Sequence, residues 1–334
     1  MTTSQNDRLI EVKGLKTYFY TEAGTAKAVD GVDFYVKKGE VLGIVGESGS
    51  GKSVTSLSLL RLIPNPPGNI VAGEVHFQGR DLLKIPLQEM YKIRGSEIAM
   101  IFQEPMTSLN PVFTIGMQVK EIIRHHGHVP PREVEDHAIK VLEQVGIASA
   151  AKRLNDYPHQ FSGGMRQRVM IAIALACDPA LLIADEPTTA LDVTIQAQIL
   201  DLMMEIKEKR EGAAIMLITH DLAVVAETCQ RVIVMYGGKI QETAEIEAIF
   251  EDPLHPYTKG LLNSLPRPDL GSQKRLFNIP GTVPSILNMP SGCKFSNRCS
   301  EAKDICHQKE PGLAEIKPGR WVRCHLFPES SEAK

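Results

Sequence analysis

The sequence predicts an α/β fold built on a mostly parallel core sheet, and three observations carry that prediction. First, a buried strand, a glycine-rich loop and a helix follow one another directly at residues 40–62. Second, continuous apolar runs alternate with segments of helical period through residues 98–235. Third, one of those runs ends in two adjacent carboxylates, Asp185 and Glu186. Apolar runs of this kind are typical of strands covered on both faces.

β-Forming residues ahead of the glycine-rich loop predict an antiparallel β subdomain beside the core sheet. The strands expected there are short, at Leu9–Val12, Thr17–Tyr20 and Val32–Val36, with a piece of a hairpin at Ala72–Gly79. Core strands are expected at Glu40–Val45, Ile98–Phe102, Leu181–Ala184, Ile215–Ile218 and Val232–Met235. Helices are expected at Val54–Leu62, at Ala138–Val145, at 164–176 and around 195–206.

The composition and periodicity of the sequence change at two places. Prolines punctuate residues 104–160, and the segments between them have a helical pattern. After about residue 250 the sequence becomes proline-rich and weakly periodic, and it carries four of the six cysteines. We therefore predict one domain at residues 1–250 and a small, irregular, cysteine-containing C-terminal extension at residues 251–334.

Composition limits the classes of function. The formal charge of −3 leaves no basic excess to neutralise phosphates, which argues against nucleic acid as the main partner. The sequence has no apolar run of about eighteen residues and no secretory signal pattern at its N-terminus. We therefore expect no transmembrane segment or signal peptide, and a reducing compartment in which disulfides are the less favoured explanation of the cysteines.

The glycine-rich loop has the G-x-x-x-x-G-K-[ST] pattern of a Walker A motif. Its glycines and small serines let consecutive backbone N–H groups turn inward around an anion. Lys52 adds a charge that can reach the β- and γ-phosphates of a nucleotide, and the Ser53 hydroxyl can ligate Mg²⁺. The predicted nucleotide-binding residues are Gly46, Glu47, Ser48, Gly49, Ser50, Gly51, Lys52, Ser53 and Val54.

Two further motifs narrow the class of nucleotide site. Asp185 ends a Walker B strand, where it can hold Mg²⁺, and Glu186 follows in position to orient or deprotonate an attacking water. Ser162 is a natural helix N-cap, and Gly163 and Gly164 leave the first N–H groups of that helix uncovered. This second anion site has no lysine of its own, as expected if it closes over a phosphate held elsewhere.

Together these motifs resemble the ATP-binding subunit of an ABC transporter, and the resemblance covers nearly the whole chain. It implies that residues 162–164 of one subunit cap the γ-phosphate on the Walker A motif of its partner. It also implies a Q-loop glutamine at Gln103, a D-loop aspartate at Asp192 and a switch histidine at His220, with Gln103 near Mg²⁺ and His220 on the γ-phosphate. The implied catalytic residues are Glu186, His220 and Gln103, and the implied Mg²⁺ ligands are Ser53, Gln103 and Asp185.

The resemblance extends to the surfaces around the nucleotide. By position Phe19, with Tyr18 as the alternative, resembles the aromatic residue that stacks on adenine. Residues 104–176 correspond to the helical subdomain that docks on the permease. Met165 stands where many family members have glutamine, which removes an amide contact but leaves the backbone N–H groups in place.

Residues Asp252–Leu262, the cysteine-bearing tail and Phe102–Pro111 resemble the oligopeptide/dipeptide importers in particular. The resemblance implies ATP-driven peptide uptake at the cytoplasmic face of the membrane. The implied partners are a second ATPase subunit, for which a distinct paralogue is favoured, two integral permease subunits and an extracytoplasmic substrate-binding protein. Some members of this group move nickel, haem precursors or sugars, so the cargo has these alternatives.

Four cysteines in the tail, Cys293, Cys299, Cys306 and Cys324, are spaced C-x5-C-x6-C-x17-C. Four clustered thiols in a reducing compartment suggest a metal. The C-x₂₋₄-C knuckle common in structural zinc sites is absent, whereas four thiolates on irregular backbone suit a [4Fe–4S] cluster, which some of the resembling ATPases contain. The cluster is therefore preferred, with zinc and free thiols as alternatives.

The other cysteines and the neighbouring histidines have simpler interpretations. Cys177 and Cys229 lie in or beside apolar helical segments and are interpreted as core residues. His307 and His325 stand next to two of the candidate ligands and could replace one of them, but exposed histidines are the preferred interpretation.

Two other classes of ATPase or GTPase compete with the importer. A soluble ABC ATPase of repair or translation usually carries two nucleotide domains or a long coiled coil, but this chain has one Walker A motif and no long heptad run. A P-loop kinase or switch GTPase leaves residues 162–164 and His220 unexplained. The expected mechanism is closure of a dimer around two ATP molecules, each between the Walker A motif of one chain and the signature of the other.

Overall fold

A computed structural model describes residues 7–103, 108–127, 129–188, 193–265 and 278–327. Its strands are β1 (Arg8–Thr21), β2 (Gly24–Lys37), β3 (Val41–Val45), β4 (Gly68–Phe77), β5 (Arg80–Asp81), β6 (Ile98–Ile101), β7 (Leu181–Asp185), β8 (Ala214–Ile218), β9 (Arg231–Tyr236), β10 (Lys239–Glu245), β11 (Ala314–Lys317) and β12 (Arg320–Val322). Its helices are α1 (Lys52–Leu59), α2 (Leu87–Ile93), α3 (Ile115–His126), α4 (Val134–Gln144), α5 (Ala150–Arg153), α6 (Gly163–Leu175), α7 (Val193–Lys209), α8 (Leu222–Thr228), α9 (Ile246–Glu251), α10 (Pro256–Asn263) and α11 (Asp304–Gln308).

The first of two compact units comprises Met1–Leu9, Val36–Glu40 and Lys84–Ile218. In it β7 pairs in parallel with β6 on one side and with β8 on the other. Every residue of β7 and β8 is buried, as expected for parallel strands covered on both faces. Helices α3, α4 and α6 pack against one another, and their shared core includes Val119, Ile123, Val141 and Leu142. The parallel pairing of the predicted strands is confirmed here.

The second unit comprises Ile10–Tyr35, Val41–Leu83 and Thr219–Lys334. One of its sheets has the order β2-β1-β4-β5 and forms the predicted antiparallel β region. Its other strands have the order β11-β12-β10-β9-β3, in which β3 and β9 are parallel and the remaining pairs are antiparallel. Among the residues of both units that the structure describes, no helix is long and apolar enough to cross a membrane.

The N-terminal strands are longer than the sequence predicts. Leu9–Val12 and Thr17–Tyr20 belong to one strand, β1, whose register against β4 shifts between Lys13 and Lys16. Gly14, with φ +55°, lies inside this irregularity. A glycine in the left-handed region lets a strand carry a bulge without ending, so the break in the apolar alternation marks a bulge and not a turn.

Beyond residue 250 the chain is more regular than its composition predicts. Helix α10 buries Tyr257 and Leu262, and β12 pairs with β10 at Glu242 and Val322. A three-residue strand such as β12 is too short for a period of two to be recognised. The domain boundary near residue 250 stays a prediction.

Candidate nucleotide site

The Walker A loop of the second unit lies between β3 and α1. Lys52 is 5% exposed, and its Nζ donates hydrogen bonds to the carbonyl oxygens of Gly46 at 2.7 Å and Glu47 at 3.2 Å. The loop backbone therefore curls around the ammonium group of its own lysine. Ser48 and Gly49 are exposed at the tip, and Ser53 and Val54 are half-buried in the first turn of α1.

Two glycines of the loop are required by close backbone contacts. Gly46 has φ +153° and Gly51 has φ +102°. A Cβ on Gly46 would lie 2.2 Å from the carbonyl oxygen of Met235, and a Cβ on Gly51 would lie 2.4 Å from that of Ala28. No side chain fits at either place, so the tight curl that a phosphate needs depends on glycine.

The remaining candidates of the second unit are the aromatic pair in β1 and the histidine after β8. The Tyr18 hydroxyl donates to Asp30 at 2.6 Å, and burial together with this bond raises the pKa of Tyr18. Phe19 is half-buried, and its ring packs over Gly68, where an added Cβ would lie 2.8 Å from the ring. His220 is exposed, just before the start of α8. The Tyr18 hydroxyl is thus held by Asp30, whereas the half-buried Phe19 ring carries no polar group.

In the first unit the Walker B strand ends in a sharp turn. Asp185, the last residue of β7, is 4% exposed. Glu186 has φ +47°, a left-handed conformation that costs a non-glycine residue about 1–3 kcal/mol. Its N–H donates to the carbonyl of Ile218 at 2.8 Å, and its carboxylate accepts a hydrogen bond from the Gln103 amide at 3.1 Å. The structure therefore brings together Gln103 and Glu186, two of the three candidate catalytic residues.

The signature residues of the first unit begin α6. The Ser162 hydroxyl accepts the N–H of Met165 at 3.3 Å and caps the helix. A Cβ on Gly163 would meet no atom within 4 Å, whereas one on Gly164 would lie 3.2 Å from the Ile195 side chain. The N-terminus of α6 is thus open beside Gly163.

A residue that the sequence did not single out ties α6 to the Walker B turn. Gln167 is 2% exposed, and its side-chain amide donates to the carbonyl of Pro187, the residue after Glu186. Gln167 stands between Arg166 and Arg168, so nothing in the local sequence distinguishes it from an exposed polar residue. The predicted D-loop residue Asp192 and the stretch at 104–107 lie outside the described residues.

The four tail cysteines of the second unit lie near one another. Cys293 and Cys306 are buried, and Cys299 and Cys324 are half-buried. Burial, and to a smaller extent the neighbouring thiols, raise the pKa of Cys293 and of Cys324 to about 11. Each sulfur accepts a backbone N–H, and the donors are Phe295 and Ser296 to Cys293, Glu301 to Cys299, Lys303 to Cys306 and Leu326 to Cys324.

The two remaining cysteines and the two tail histidines differ in burial. Cys229 is 5% exposed, as predicted for a core residue, while Cys177 is only half-buried. His307 is exposed, and a ring nitrogen of His325 lies 2.8 Å from the carbonyl oxygen of Lys309. Cys177 therefore differs from the prediction, because it lies two residues beyond the end of α6 and lines a surface groove.

Comparisons with known proteins agree with these motifs. Residues 29–189 match a family model described as ABC transporter, and residues 241–306 match one described as oligopeptide/dipeptide transporter, C-terminal region. The chain is 56% identical over 318 residues to a probable peptide ABC transporter ATP-binding protein of Sinorhizobium fredii, with 95% of each chain covered. It is 50% identical over 317 residues to the dipeptide transport ATP-binding protein DppD of Escherichia coli, with 95% of this chain and 96% of the relative covered.

A solved structure extends the likeness to three dimensions. The dimeric post-hydrolysis state of the ATP-binding cassette MJ0796, bound to ADP and Pi, matches with a TM-score of 0.63 at 28% identity. The match covers 71% of this chain and 98% of that one. The chain therefore belongs to the ABC transporter family, as an ABC-type ATPase among the ATP-binding proteins of oligopeptide and dipeptide transporters.

Proposed function

We propose that this chain hydrolyses ATP at the cytoplasmic face of the membrane to power uptake of dipeptides or oligopeptides through a permease. The observation that carries the proposal is that the likeness to peptide-transport ATPases runs through both matched regions, including the C-terminal one at 241–306. A nucleotide domain alone would fit many ABC proteins, whereas the C-terminal region is described for oligopeptide and dipeptide transporters.

Hydrolysis is assigned to groups that flank the phosphates. The backbone N–H groups of residues 46–53 and the Lys52 ammonium hold the β- and γ-phosphates, and Phe19 stacks on adenine. Glu186 accepts a proton from the attacking water as the water oxygen bonds to the γ-phosphorus. The bond from that phosphorus to the bridging oxygen breaks, and ADP and phosphate leave. Gln103 orients the Glu186 carboxylate, and His220 contacts the γ-phosphate.

A magnesium ion suits the donor set of Ser53, Gln103 and Asp185. These residues offer a hydroxyl, an amide oxygen and a carboxylate, the hard oxygen ligands that Mg²⁺ prefers. When bound, the ion would neutralise charge on the phosphates. Asp185 is nearly buried at the end of β7, so its carboxylate has a fixed position for this role.

A second ATPase subunit completes each site in this proposal. The open N-terminus of α6 beside Gly163 can bind the γ-phosphate that a partner holds, because helix N-termini attract anions. The similar cassette MJ0796 is described as dimeric. We propose a distinct paralogue as the partner, with a second copy of this chain as the alternative and with Asp192 at the shared interface.

Permease docking is assigned to an apolar surface of the first unit. Val112, Phe113 and Met117 are 71%, 43% and 53% exposed, and Phe113 and Met117 line an open groove of about 700 Å³ along α3. Exposed apolar side chains grouped in this way are typical of protein-binding sites. The groove follows Gln103 in the chain, so docking there can act on Glu186 through the glutamine. An extracytoplasmic binding protein would deliver the peptide to the permease.

Transport of labelled di- and oligopeptides into vesicles tests the proposal. The vesicles contain the complex isolated with this chain, and ATP is supplied on the side of the ATPase. Uptake of peptides that stops with Glu186→Gln supports the assignment. ATP-dependent uptake of nickel, haem precursors or sugars in place of peptides would replace the cargo, and co-isolation with ribosomes or DNA in place of membrane subunits would overturn the function.

We also propose that the four tail cysteines hold a [4Fe–4S] cluster, with zinc as the alternative. Four neighbouring thiols place four potential thiolate ligands together, and burial raises the pKa of Cys293, Cys299 and Cys324, so a bound cation would be needed to hold them ionised. Each of the four sulfurs also accepts a backbone N–H group of the kind that tunes such clusters. The spacing C-x5-C-x6-C-x17-C lacks the C-x₂₋₄-C knuckle common in structural zinc sites, and this supports the cluster over zinc.

Anaerobic purification tests the cluster. We expect visible absorbance together with iron and sulfide at about four per chain, both lost when Cys306 is replaced by serine. One zinc per chain, or metal-free thiols that react fully with a thiol reagent in the native protein, would contradict it.

A further inference from the structure

An ion pair joins the Walker A loop to the cysteine-bearing segment within the second unit. Arg298 donates from Nη1 to Oε2 of Glu47 at 2.5 Å and from Nη2 to Oε1 at 3.1 Å. The arginine side chain is 5% exposed and the glutamate side chain 27%. Because both donors of one guanidinium meet both oxygens of one carboxylate, the pair fixes the orientation of Glu47 as well as its position.

Tyr257 holds the same residue from a second direction. Its hydroxyl accepts the backbone N–H of Glu47 at 2.9 Å. The Tyr257 ring is fully buried and packs against Tyr236 and Phe295 at centroid distances of 4.8 and 5.2 Å. The side chain and the N–H of Glu47 are therefore both held by residues that follow position 250.

Glu47 in turn contacts the group that binds phosphate. Its carbonyl oxygen accepts hydrogen bonds from the Lys52 ammonium at 3.2 Å and from the N–H of Ser50 at 3.1 Å. A shift of Glu47 would thus displace the lysine and open the turn that forms the loop.

Arg298 lies in the sequence between two of the four tail cysteines, Cys293 and Cys299. Arg298 closes a short 3-10 turn in which its N–H donates to Phe295 at 3.0 Å and the N–H of Ser296 donates to Cys293 at 3.0 Å. Cys299 is the next residue. The backbone that places Arg298 is therefore the backbone that places Cys293 and Cys299.

We propose that Arg298 is a positioning residue for the Walker A loop, and that through Glu47 it makes nucleotide affinity depend on the state of the cysteine-bearing segment. Five hydrogen bonds make the connection: two in the turn from Cys293 to Arg298, two from Arg298 to the Glu47 carboxylate, and one from Lys52 to the Glu47 carbonyl. This regulatory contact requires no metal at the thiols and no particular cargo, and it is separate from the catalytic groups of the proposed function.

Equilibrium binding of Mg-ATP to the purified full-length chain tests the contact. Glu47→Gln keeps the size of the side chain and removes its charge, and Arg298→Lys keeps the charge and loses the paired donors. We expect each to raise the Kd for ATP about fivefold to tenfold, and the double variant to raise it no further, because both remove one interaction. Unchanged affinity in a folded Glu47→Gln variant would overturn the proposal, whether or not Arg298→Lys folds.

Asp252→Asn is the matched control. Its carboxylate pairs with Arg320 at 3.0 Å, also in the C-terminal part of the chain, and neither residue belongs to the Walker A loop or to the turn of Arg298. We expect it to leave the Kd unchanged. An equal rise in Kd for this variant would show a general loss of structure and would overturn a specific role for Arg298.

The dependence on the thiols is tested with Cys299→Ser in two backgrounds. We expect the substitution to raise the Kd for ATP in the otherwise unchanged chain and to add nothing in the Glu47→Gln chain. Equal effects in both backgrounds, or no effect in the first, would overturn the coupling. Metal content is measured on the same samples, so a failed cluster assignment is distinguished from a failed coupling.

Discussion

Gln103 and Glu186 are 83 positions apart in the sequence, yet the side-chain amide of one donates to the carboxylate of the other at 3.1 Å. The contact follows from the strand pairing, since Ile101 of β6 lies opposite Ala184 of β7 and each side chain comes two residues later. Parallel strands end at the same edge of a sheet, so both groups emerge there side by side. A displacement of the Gln103 amide would therefore remove a hydrogen bond from the carboxylate that we assign to catalysis.

Replacing Glu186 by glutamine tests that assignment. The amide fills the same space and can still bond to Gln103, but it cannot accept a proton from water. We expect ATP binding to persist and turnover to fall by about a hundredfold or more. Nucleotide affinity and steady-state phosphate release on the purified protein measure the two effects.

A control for this variant is Glu205→Gln, which makes the same chemical change at an exposed position on α7. Turnover should be unaffected there. Undiminished phosphate release by Glu186→Gln would refute the catalytic assignment, and loss of ATP binding would point to a structural role.

The second prediction concerns the phosphate cradle. Gly46→Ala would push a Cβ to within 2.2 Å of the Met235 carbonyl, so the loop must open and lose its N–H cage. We expect loss of measurable ATP binding with the rest of the chain folded, as checked by nucleotide titration and circular dichroism.

Gly79→Ala is the control that introduces backbone strain at a positive φ without the steric clash of Gly46→Ala. Gly79 has φ +81° with nothing within 4 Å of an added Cβ, so alanine there costs about 1 kcal/mol of strain without a clash. We expect a lower melting temperature and normal ATP binding. Wild-type affinity in Gly46→Ala would mean that the loop does not hold the nucleotide in this conformation.

The chemical groups of the candidate site were predictable because each belongs to a local pattern. The Walker A loop, the strand ending in Asp185 and the cap at Ser162 are each set by neighbours within a few residues. The family resemblance implied that Gln103 and Glu186 serve one site, but the bond between them was not predicted, since it depends on which strands are neighbours.

The Arg298–Glu47 pair shows what the sequence could not supply. Its members are 251 positions apart, and each is a charged residue of a kind that normally faces water. Nothing in local period, composition or spacing distinguishes Arg298 from other arginines of the tail. Burial by the surrounding aromatic rings is what makes the pair specific, and that burial is a property of the fold.

The third prediction concerns permease docking at the α3 groove. Phe113→Ala together with Met117→Ser removes apolar surface that faces solvent in the isolated chain. We expect the complex with the membrane subunits to weaken about tenfold or more, as measured by co-purification from detergent. Binding of ATP by the isolated variant serves as the check that it is folded.

Leu87→Ser is the matched control, because Leu87 is 44% exposed in the same unit but lies on α2, outside that groove. Its complex should form normally. Equal loss of the complex in both variants would remove the groove from the docking surface.

The last prediction concerns stability below neutral pH. His255 is 1% exposed, and its Nδ1 caps α10 by accepting the N–H of Tyr257 at 3.0 Å. Burial lowers its pKa from 6.5 to about 3, so the folded chain keeps it neutral while the unfolded chain protonates it. Its contribution to stability is therefore full above about pH 6.5 and is lost as the pH falls toward 3, by at most about 1.4 kcal/mol per pH unit.

His255→Asn isolates this effect, since asparagine can also cap a helix but does not titrate. Nearby Glu242, whose pKa burial raises, changes stability with the opposite sign. It is present in both chains, so the difference between them at each pH cancels its contribution. We expect the melting temperature of the unchanged chain to fall relative to the variant between pH 7 and pH 5. Parallel melting curves over that range would show that His255 is protonated equally in the folded and unfolded chain.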